Sequence, residues 1–420
     1  MKVFKFGGAS INSIERIHNV ADILKKYEGE KLLVVISAIG KTTNSLEKVV
    51  DAFFSGNKNE ALLLFEQIKA DHLTTLKQLL ISGLKEATDN LNNFFTEIEW
   101  LLHDKPVQDY NYYYDQIVCV GELLSTSMIS SFLKSQNIMN TWIDVRDVFR
   151  TDDNFRDANV DMFITPKKVS EFIEPFFKTG DLMITQGFIG STDENESTTL
   201  GREGSDYTAA LFANMLDAES LTIWKDVEGV MNADPKEFND AIFIKELNFE
   251  EVIEMAYYGA QVIHPKTIKP LQNKNIPLYV KCFLKYDASG TLISNKAVHN
   301  LPPVIVVKQD QLLMKLSSKD FSFVGEKPVS RLYEIFAEVR IRPNLMQNGA
   351  ISLLVCLDEI PEKIEKLSFL ASDLFDVHID KGLTLLTIRH YNSETIVKLT
   401  AGKDLVLEQK TNQTIQLLMR

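Results

Sequence analysis

The sequence predicts an α/β protein: a layered domain built on a mostly parallel sheet, followed by smaller α+β modules. Three observations carry this expectation. Short, wholly apolar runs such as Leu32-Leu33-Val34-Val35-Ile36 alternate with amphipathic stretches as far as about residue 298. Continuous apolar strands belong to parallel sheets covered on both faces. The run Leu301-Pro302-Pro303 then breaks the pattern, since neither proline continues a helix. Beyond it the order becomes strand, strand, helix, strand, strand, helix, the grammar of small α+β sandwiches.

Taken in order, Lys2 to Phe6 reads as a strand ending in Gly7-Gly8, with a helix starting near Ser10 and capped by its hydroxyl. Leu32 to Ile36 is a buried strand. From about residue 45 to 103, Leu62, Phe65, Ile68, Leu73, Leu76, Leu79 and Leu80 recur by threes and fours, which predicts a helical insert. Further strands are expected at 141–145, 182–186, 220–224 and 278–282, completing a catalytic-sized domain over 1–298. From Val304 onward two strands, a helix near 328–339, strands ending at 351–357, a helix near 361–374 and short final strands make one or two modules over 304–420.

The 420 residues, 45% hydrophobic and 25% charged, suit two or three domains at ~150 residues each. Fifty-eight acidic against 45 basic residues give a net charge of -13. That balance speaks against a nucleic-acid-binding face and leaves room for a local basic pocket. Cys119, Cys282 and Cys356 lack any CxxC spacing and read as reduced, buried thiols. The seven histidines show no HExxH spacing, so no protein-held metal is expected. No apolar run nears the ~18 residues of a membrane span. The expectation is therefore no membrane and a cytoplasmic address.

Several segments carry chemistry. Lys5-Phe6-Gly7-Gly8 sets a glycine turn at a strand end, where backbone N–H groups can meet a phosphate and Lys5 adds a charge. An ordinary turn is the competing reading. Gly40-Lys41-Thr42-Thr43 imitates the tail of a P-loop, but Val35 stands where the motif needs glycine. The polar loop Ser37 to Asn44 still follows a buried strand, the usual ligand position in open α/β sheets, with helix capping by Thr42 or Thr43 as the alternative. Thr199 to Ala210 offers glycines, Arg202 and Asp206 before a helix start, an arrangement suited to a carboxylate or phosphate. Trp224 to Lys236 presents lysines beside turn residues, and His264 reads as a structural histidine.

Together, KFGGAS, VVISAIGKTTN, VGELLST, FRTDDNF, TQGFIG, LGREGSDYTAA, WKDVEGVMNADP and EMAYYGAQVIHPKTI, in this order, resemble the aspartate kinases of the amino acid kinase family. The resemblance spans essentially the whole chain. It implies a three-layer α/β sandwich with paired C-terminal ACT domains, and phosphorylation of the β-carboxylate of L-aspartate by ATP with nucleotide-bound Mg2+. By the same resemblance, Lys5 and Asp206 are catalytic, while Arg202 grips a substrate carboxylate. Glu122 pairs with the substrate ammonium, and Thr43 and Ser37 line the same pocket. Lys5, Gly7, Gly8, Ser10, Lys225, Asp226, Met231 and Lys236 correspond to nucleotide contacts. A homodimer or larger homo-oligomer, and an amino-acid effector at the ACT-like modules, are also implied.

The chain departs from that pattern in three places. Glu203 replaces a glycine beside Arg202, and Gln261 replaces a lysine that often contacts nucleotide, a role Lys266 is positioned to assume. Arg342 to Gly349 replaces the effector loop, with Pro343 lacking a backbone donor. Two other readings follow: a kinase for glutamate or acetylglutamate, and a degenerate kinase serving as an amino-acid sensor. Glu122 favours a free amino group over an acetylated one.

Overall fold

The computed structural model describes residues 1–260, 263–320 and 322–420, so the Gln261 reading lies outside the described residues. The chain divides into two compact units. The first comprises Met1–Val230, Phe243–Ile253 and Val262–Val298, and the second Met231–Ile242, Glu254–Gln261 and His299–Arg420.

In chain order the elements begin with β1 (Lys2–Phe6), α1 (Ile14–Lys25), β2 (Leu32–Ile36), α2 (Thr42–Phe54), α3 (Lys58–Leu79), α4 (Leu84–His103), α5 (Tyr110–Val118) and α6 (Val120–Ser135). There follow β3 (Thr141–Trp142), α7 (Thr165–Lys168), β4 (Leu182–Gln186), a hairpin of β5 (Ile189–Ser191) and β6 (Ser197–Thr199), α8 (Gly204–Met215) and β7 (Ser220–Lys225). Short strands β8 (Val230–Met231), β9 (Phe243–Ile244) and β10 (Glu246–Asn248) lead to α9 (Phe249–Tyr258), α10 (Pro265–Asn273), β11 (Leu278–Cys282) and β12 (Thr291–Ser294).

One eight-stranded sheet runs in the order β10-β12-β11-β7-β1-β2-β4-β3. It is parallel through β11, with β12 antiparallel to β11. β1 lies between β2 and β7, with Lys5 opposite Val35 and Ile223. Every residue of β2 and β4 is buried, as expected of strands sandwiched between helical layers. The C-terminal ends of β1, β2 and β4 are laced together beyond the ladder. Ser37 N–H donates to the Phe6 carbonyl at 3.1 Å and Gly187 N–H to the Ile36 carbonyl at 3.2 Å.

The helical pattern after residue 45 becomes α3 and α4, whose buried stripes include Phe65, Ile68 and Leu76 on one and Leu91, Phe95 and Ile98 on the other. Phe65 and Phe95 meet edge to face, ring centroids 6.1 Å apart. Tyr110–Ser135 is long and apolar enough to cross a membrane, yet it is mostly buried inside the fold.

The second unit continues with β13 (Val304–Ser318), α11 (Glu326–Val339), β14 (Leu345–Asn348), β15 (Ser352–Asp358), α12 (Pro361–Ala371), β16 (Phe375–Arg389), α13 (Ser393–Thr400), β17 (Leu405–Lys410) and β18 (Thr414–Met419). Its strands form one antiparallel sheet, β14-β15-β13-β16-β18-β17.

Four local expectations change. The first helix starts at Ile14 and is capped by Ser13, because Gly8–Ile11 forms a 3-10 turn. β3 spans two residues instead of five; the Gln186 side chain takes the Val145 N–H at 2.7 Å and the chain turns away there. The two strands expected after Val304 are a single 15-residue strand. Its polar break between Lys308 and Gln311 is absorbed as a bulge against β16. Helix α13 replaces part of the expected run of short strands; its lack of fully buried residues leaves little apolar signal to read.

Phe4 is 1% exposed and meets Tyr27 and Trp224 edge to face at 4.8 and 5.6 Å. Phe4→Ala is expected to lower unfolding free energy by about 3–5 kcal/mol, the cost of a large cavity in a packed core. A lower denaturant midpoint at unchanged slope checks it.

Candidate active site

The first unit holds a cavity of about 400 Å³ lined by Lys5, Ser37, Thr43, Glu122, Arg202 and Asp206 among others. It opens where the loops after β1, β2 and β4 meet the start of α8, the crevice at the carboxyl ends of parallel strands in which such sheets bind ligands. Its geometry depends on absent side chains. A Cβ on Gly8 would stand 2.5 Å from the Ala38 carbonyl oxygen, and one on Gly187 would stand 2.6 Å from the Ser205 Cβ. Gly8 lets the β1 and β2 loops touch, and Gly187 lets α8 approach the sheet.

Lys5 Nζ lies 2.6 Å from Asp206 Oδ1, and the two side chains are 12% and 5% exposed. The ammonium is thus aimed by a buried carboxylate in the first turn of α8. The cap residue of that helix is Glu203, held left-handed at φ 55°.

Glu122, on α6, is 3% exposed. One carboxylate oxygen accepts from the Ala38 N–H at 3.2 Å, while Oε2 has no hydrogen-bond partner among the described residues. Burial pushes its pKa up to about 8, against the opposing pull of the Ala38 N–H and the Lys5 charge. An uncompensated carboxylate oxygen facing a cavity is a receptor for a cation.

Glu203 does not confront the cavity as a free charge. Its Oε2 accepts from the His264 N–H at 2.9 Å, at the start of α10, where the helix dipole also favours an anion. His264 caps α10, its ring accepting from the Lys266 N–H at 3.2 Å, in agreement with its structural reading. Lys266 pairs with Asp157 at 2.5 Å and does not line the cavity.

The remaining expected residues are distributed more widely. Ser10 is 1% exposed, and its hydroxyl donates to the Trp224 carbonyl at 3.2 Å. Gly7 lies beside the Lys5 ammonium, 3.3 Å from where its Cβ would be. Lys225 ends β7, two strands' width from β2, with Asp226 next to it in the first unit; Met231 and Lys236 belong to the second unit.

Sequence reasoning passed over Tyr114, Arg156, Phe188 and Thr199, all of which line the cavity. It also missed Asp115, buried and accepting from the Arg156 N–H at 3.0 Å and from the Thr199 N–H and hydroxyl at 2.8 and 2.7 Å. Burial raises the Asp115 pKa to about 6 despite these bonds. Asp115 on α5, an acidic residue seven positions before Glu122 and just ahead of the apolar Ile117-Val118, is the signal that was available.

A phosphate-friendly glycine turn, an aimed lysine and an unpaired carboxylate at the carboxyl ends of a parallel sheet define a small-molecule kinase site. Residues 1–282 match the model of the Amino acid kinase family. The chain is 32% identical to lysine-sensitive aspartokinase 3 of Escherichia coli strain K12 over 400 residues, covering 92% of this chain and 86% of that one. It is 33% identical over 295 residues to a chloroplastic bifunctional aspartokinase/homoserine dehydrogenase of Zea mays, covering 69% of this chain and 32% of that one, so it spans about a third of such relatives. Escherichia coli aspartokinase III with aspartate and ADP superposes with TM-score 0.81 at 28% identity, over 100% of this chain and 96% of that one. Its complex with lysine and aspartate gives the same score and identity over 100% and 95%. The chain belongs to the amino acid kinase family and, within it, to the aspartokinases.

Because the Glu122 carboxyl prefers its proton in the folded chain, the stability it contributes is complete below about pH 4.5 and lost as pH rises through about 8. Glu122→Gln keeps the neutral form at every pH. The ligand-free variant is expected to melt above the wild type at pH 8, with the gap closing toward pH 4.5. Melting curves across that range check it.

Proposed function

We propose that the chain transfers the γ-phosphate of ATP to the β-carboxylate of L-aspartate, giving 4-phospho-L-aspartate, the entry step to lysine, threonine and methionine. The observation that carries this reading is the buried Glu122 carboxylate, with one oxygen unpartnered, in a cavity that also holds Lys5 and Arg202. That set matches an amino acid with a free ammonium and more than one carboxylate. The aspartate and ADP bound to the Escherichia coli relative support it.

The acceptor carboxylate is already ionised at neutral pH, with a free value near 3.9, so no general base is required. The chain must overcome repulsion between two anions. A unit charge at ~4 Å in an effective dielectric of ~20 contributes about 4 kcal/mol, or roughly three decades in rate if the contact is made only in the transition state. Lys5 supplies that charge, and Asp206 fixes the direction of its ammonium. Gly7 and Gly8 present backbone amides to the phosphates, Arg202 and Glu122 hold the α-carboxylate and ammonium, and Ser37 and Thr43 complete the wall. Lys225, Asp226, Met231 and Lys236 are the nucleotide contacts.

The magnesium of MgATP would be carried mainly by the phosphates. Among the described residues no group of three metal-ligating side chains exists, and nucleotide-bound magnesium needs only one or two protein carboxylates. When bound, the ion neutralises phosphate charge.

The second unit is read as paired ACT-like modules that bind a regulatory amino acid and join copies of the chain. The Escherichia coli relative's lysine complex supports such an effector. The sensor alternative loses one motive, since the Glu203 carboxylate is committed to the His264 N–H.

Purified protein with MgATP and hydroxylamine is expected to give hydroxamate with L-aspartate and not with L-glutamate or N-acetyl-L-glutamate. ATP binding without hydroxamate would favour the sensor. Lys5→Ala is expected to lower turnover by about two decades or more and, because it leaves the buried Asp206 carboxylate unpaired, to lower the melting temperature as well; a near-normal rate in the folded variant removes Lys5 from the chemistry. Arg202→Ala is expected to raise KM for aspartate while KM for ATP holds, as steady-state kinetics will show.

A further inference from the structure

We propose that Arg156 is a second guanidinium gripping the acceptor amino acid, and that Arg156 and Arg202 together set the site's demand for a free α-carboxylate. The inference rests on the aspartate-kinase reading above and adds to it a specificity-determining residue.

Arg156 and Arg202 line the same cavity, and the chain segments that carry them are in contact. A Cβ on Gly201 would lie 3.2 Å from the Arg156 carbonyl oxygen and 2.6 Å from Asp157 Oδ1. The Arg156 segment is fixed from several sides. Asp115 accepts its N–H at 3.0 Å, with the backbone at φ 73°. Asn154 donates to the Asp157 carbonyl at 2.8 Å, and Lys266 pairs with the Asp157 side chain at 2.5 Å. Asp115 also holds Thr199, so one buried carboxylate positions two residues of the cavity wall.

The guanidinium itself is held by a face and not by an edge. It lies over the Tyr114 ring, 4.3 Å from the centroid. Its one side-chain hydrogen bond among the described residues is long, 3.4 Å to Asn111 Oδ1. Among the described residues no carboxylate is within ion-pair distance of it, whereas Arg146 is fully engaged by Asp144. A guanidinium stacked on an aromatic face keeps its fork of donors free for a planar anion. The charges of the cavity lead to the same assignment. Asp206 engages Lys5 and the His264 N–H engages Glu203. Two guanidinium forks and the Glu122 carboxylate are left for the ligand. That is the complement of an amino dicarboxylate, with the α-carboxylate nearest the Gly201 turn, which Arg202 follows and against which the Arg156 segment packs.

The test is steady-state kinetics of full-length Arg156→Met and Arg156→Lys with L-aspartate and with its α-amide. For Arg156→Met, KM for aspartate is expected to rise about 10- to 100-fold, the usual worth of a charge-assisted pair. Turnover and KM for ATP should stay close to wild type, and the preference for aspartate over the α-amide should fall by a similar factor. Arg156→Lys, which keeps charge without the fork, should lie between. Unchanged KM for aspartate, a loss confined to turnover, or undiminished discrimination against the α-amide would each overturn the assignment. A wild-type protein that makes no acyl phosphate from aspartate would overturn the underlying reading instead, a result visible before any variant is made.

Discussion

The Lys5–Asp206 ion pair is the constraint around which the first unit is arranged. Two charges at 2.6 Å, both nearly excluded from solvent, cost several kcal/mol each to desolvate, and their attraction returns that only with good geometry. A core built for stability alone would gain by replacing them. Their presence requires that β1 sit centrally, that α8 start within a lysine's reach of it, and that the intervening loops be thin. Gly8 and Gly187 meet the last condition, as the contacts at their missing Cβ atoms show.

Much of this was legible in the sequence, because the signals were local. The apolar run of β2, the glycine turn after β1 and the carboxylate in the first turn of α8 each declare themselves within a few residues. What was not legible is what depends on tertiary approach. Ser10 looked like a cap and is instead tied to the Trp224 carbonyl on a strand more than 200 residues away. Arg156 sits in an exposed polar loop with no pattern to mark it. Its role comes from Asp115, which reaches across 41 residues to hold its N–H. Capping and periodicity are short-range signals, and a side chain recruited across the fold leaves none.

Glu203 shows how a position can be conspicuous in sequence and be resolved only by structure. In sequence it is a carboxylate beside Arg202 where the resemblance leads one to expect glycine. The left-handed backbone at φ 55° turns the side chain toward the first residues of α10, where a backbone N–H and a helix dipole stabilise an anion. Lys266 is likewise drawn off by Asp157 on the flank of the Gly201 turn. The Glu203 and Lys266 charges therefore pin the loops that frame the cavity, and Lys5, Asp206, Glu122 and the two arginines are the other charges that line it.

The physical partition of the chain does not follow chain order. Met231–Ile242 lies within the kinase portion of the sequence but belongs to the second unit. Asn232 secures it there, donating to the Pro303 carbonyl at 2.7 Å and accepting through its own carbonyl from the Ile305 N–H at 2.7 Å. The exposed pair Asp240–Lys398 at 2.6 Å adds little by itself, but it ties the segment to α13. Met231 and Lys236, the nucleotide contacts of the proposal, thus rest on the same body as the antiparallel sheet, while Lys5, Glu122 and Arg202 rest on the parallel one.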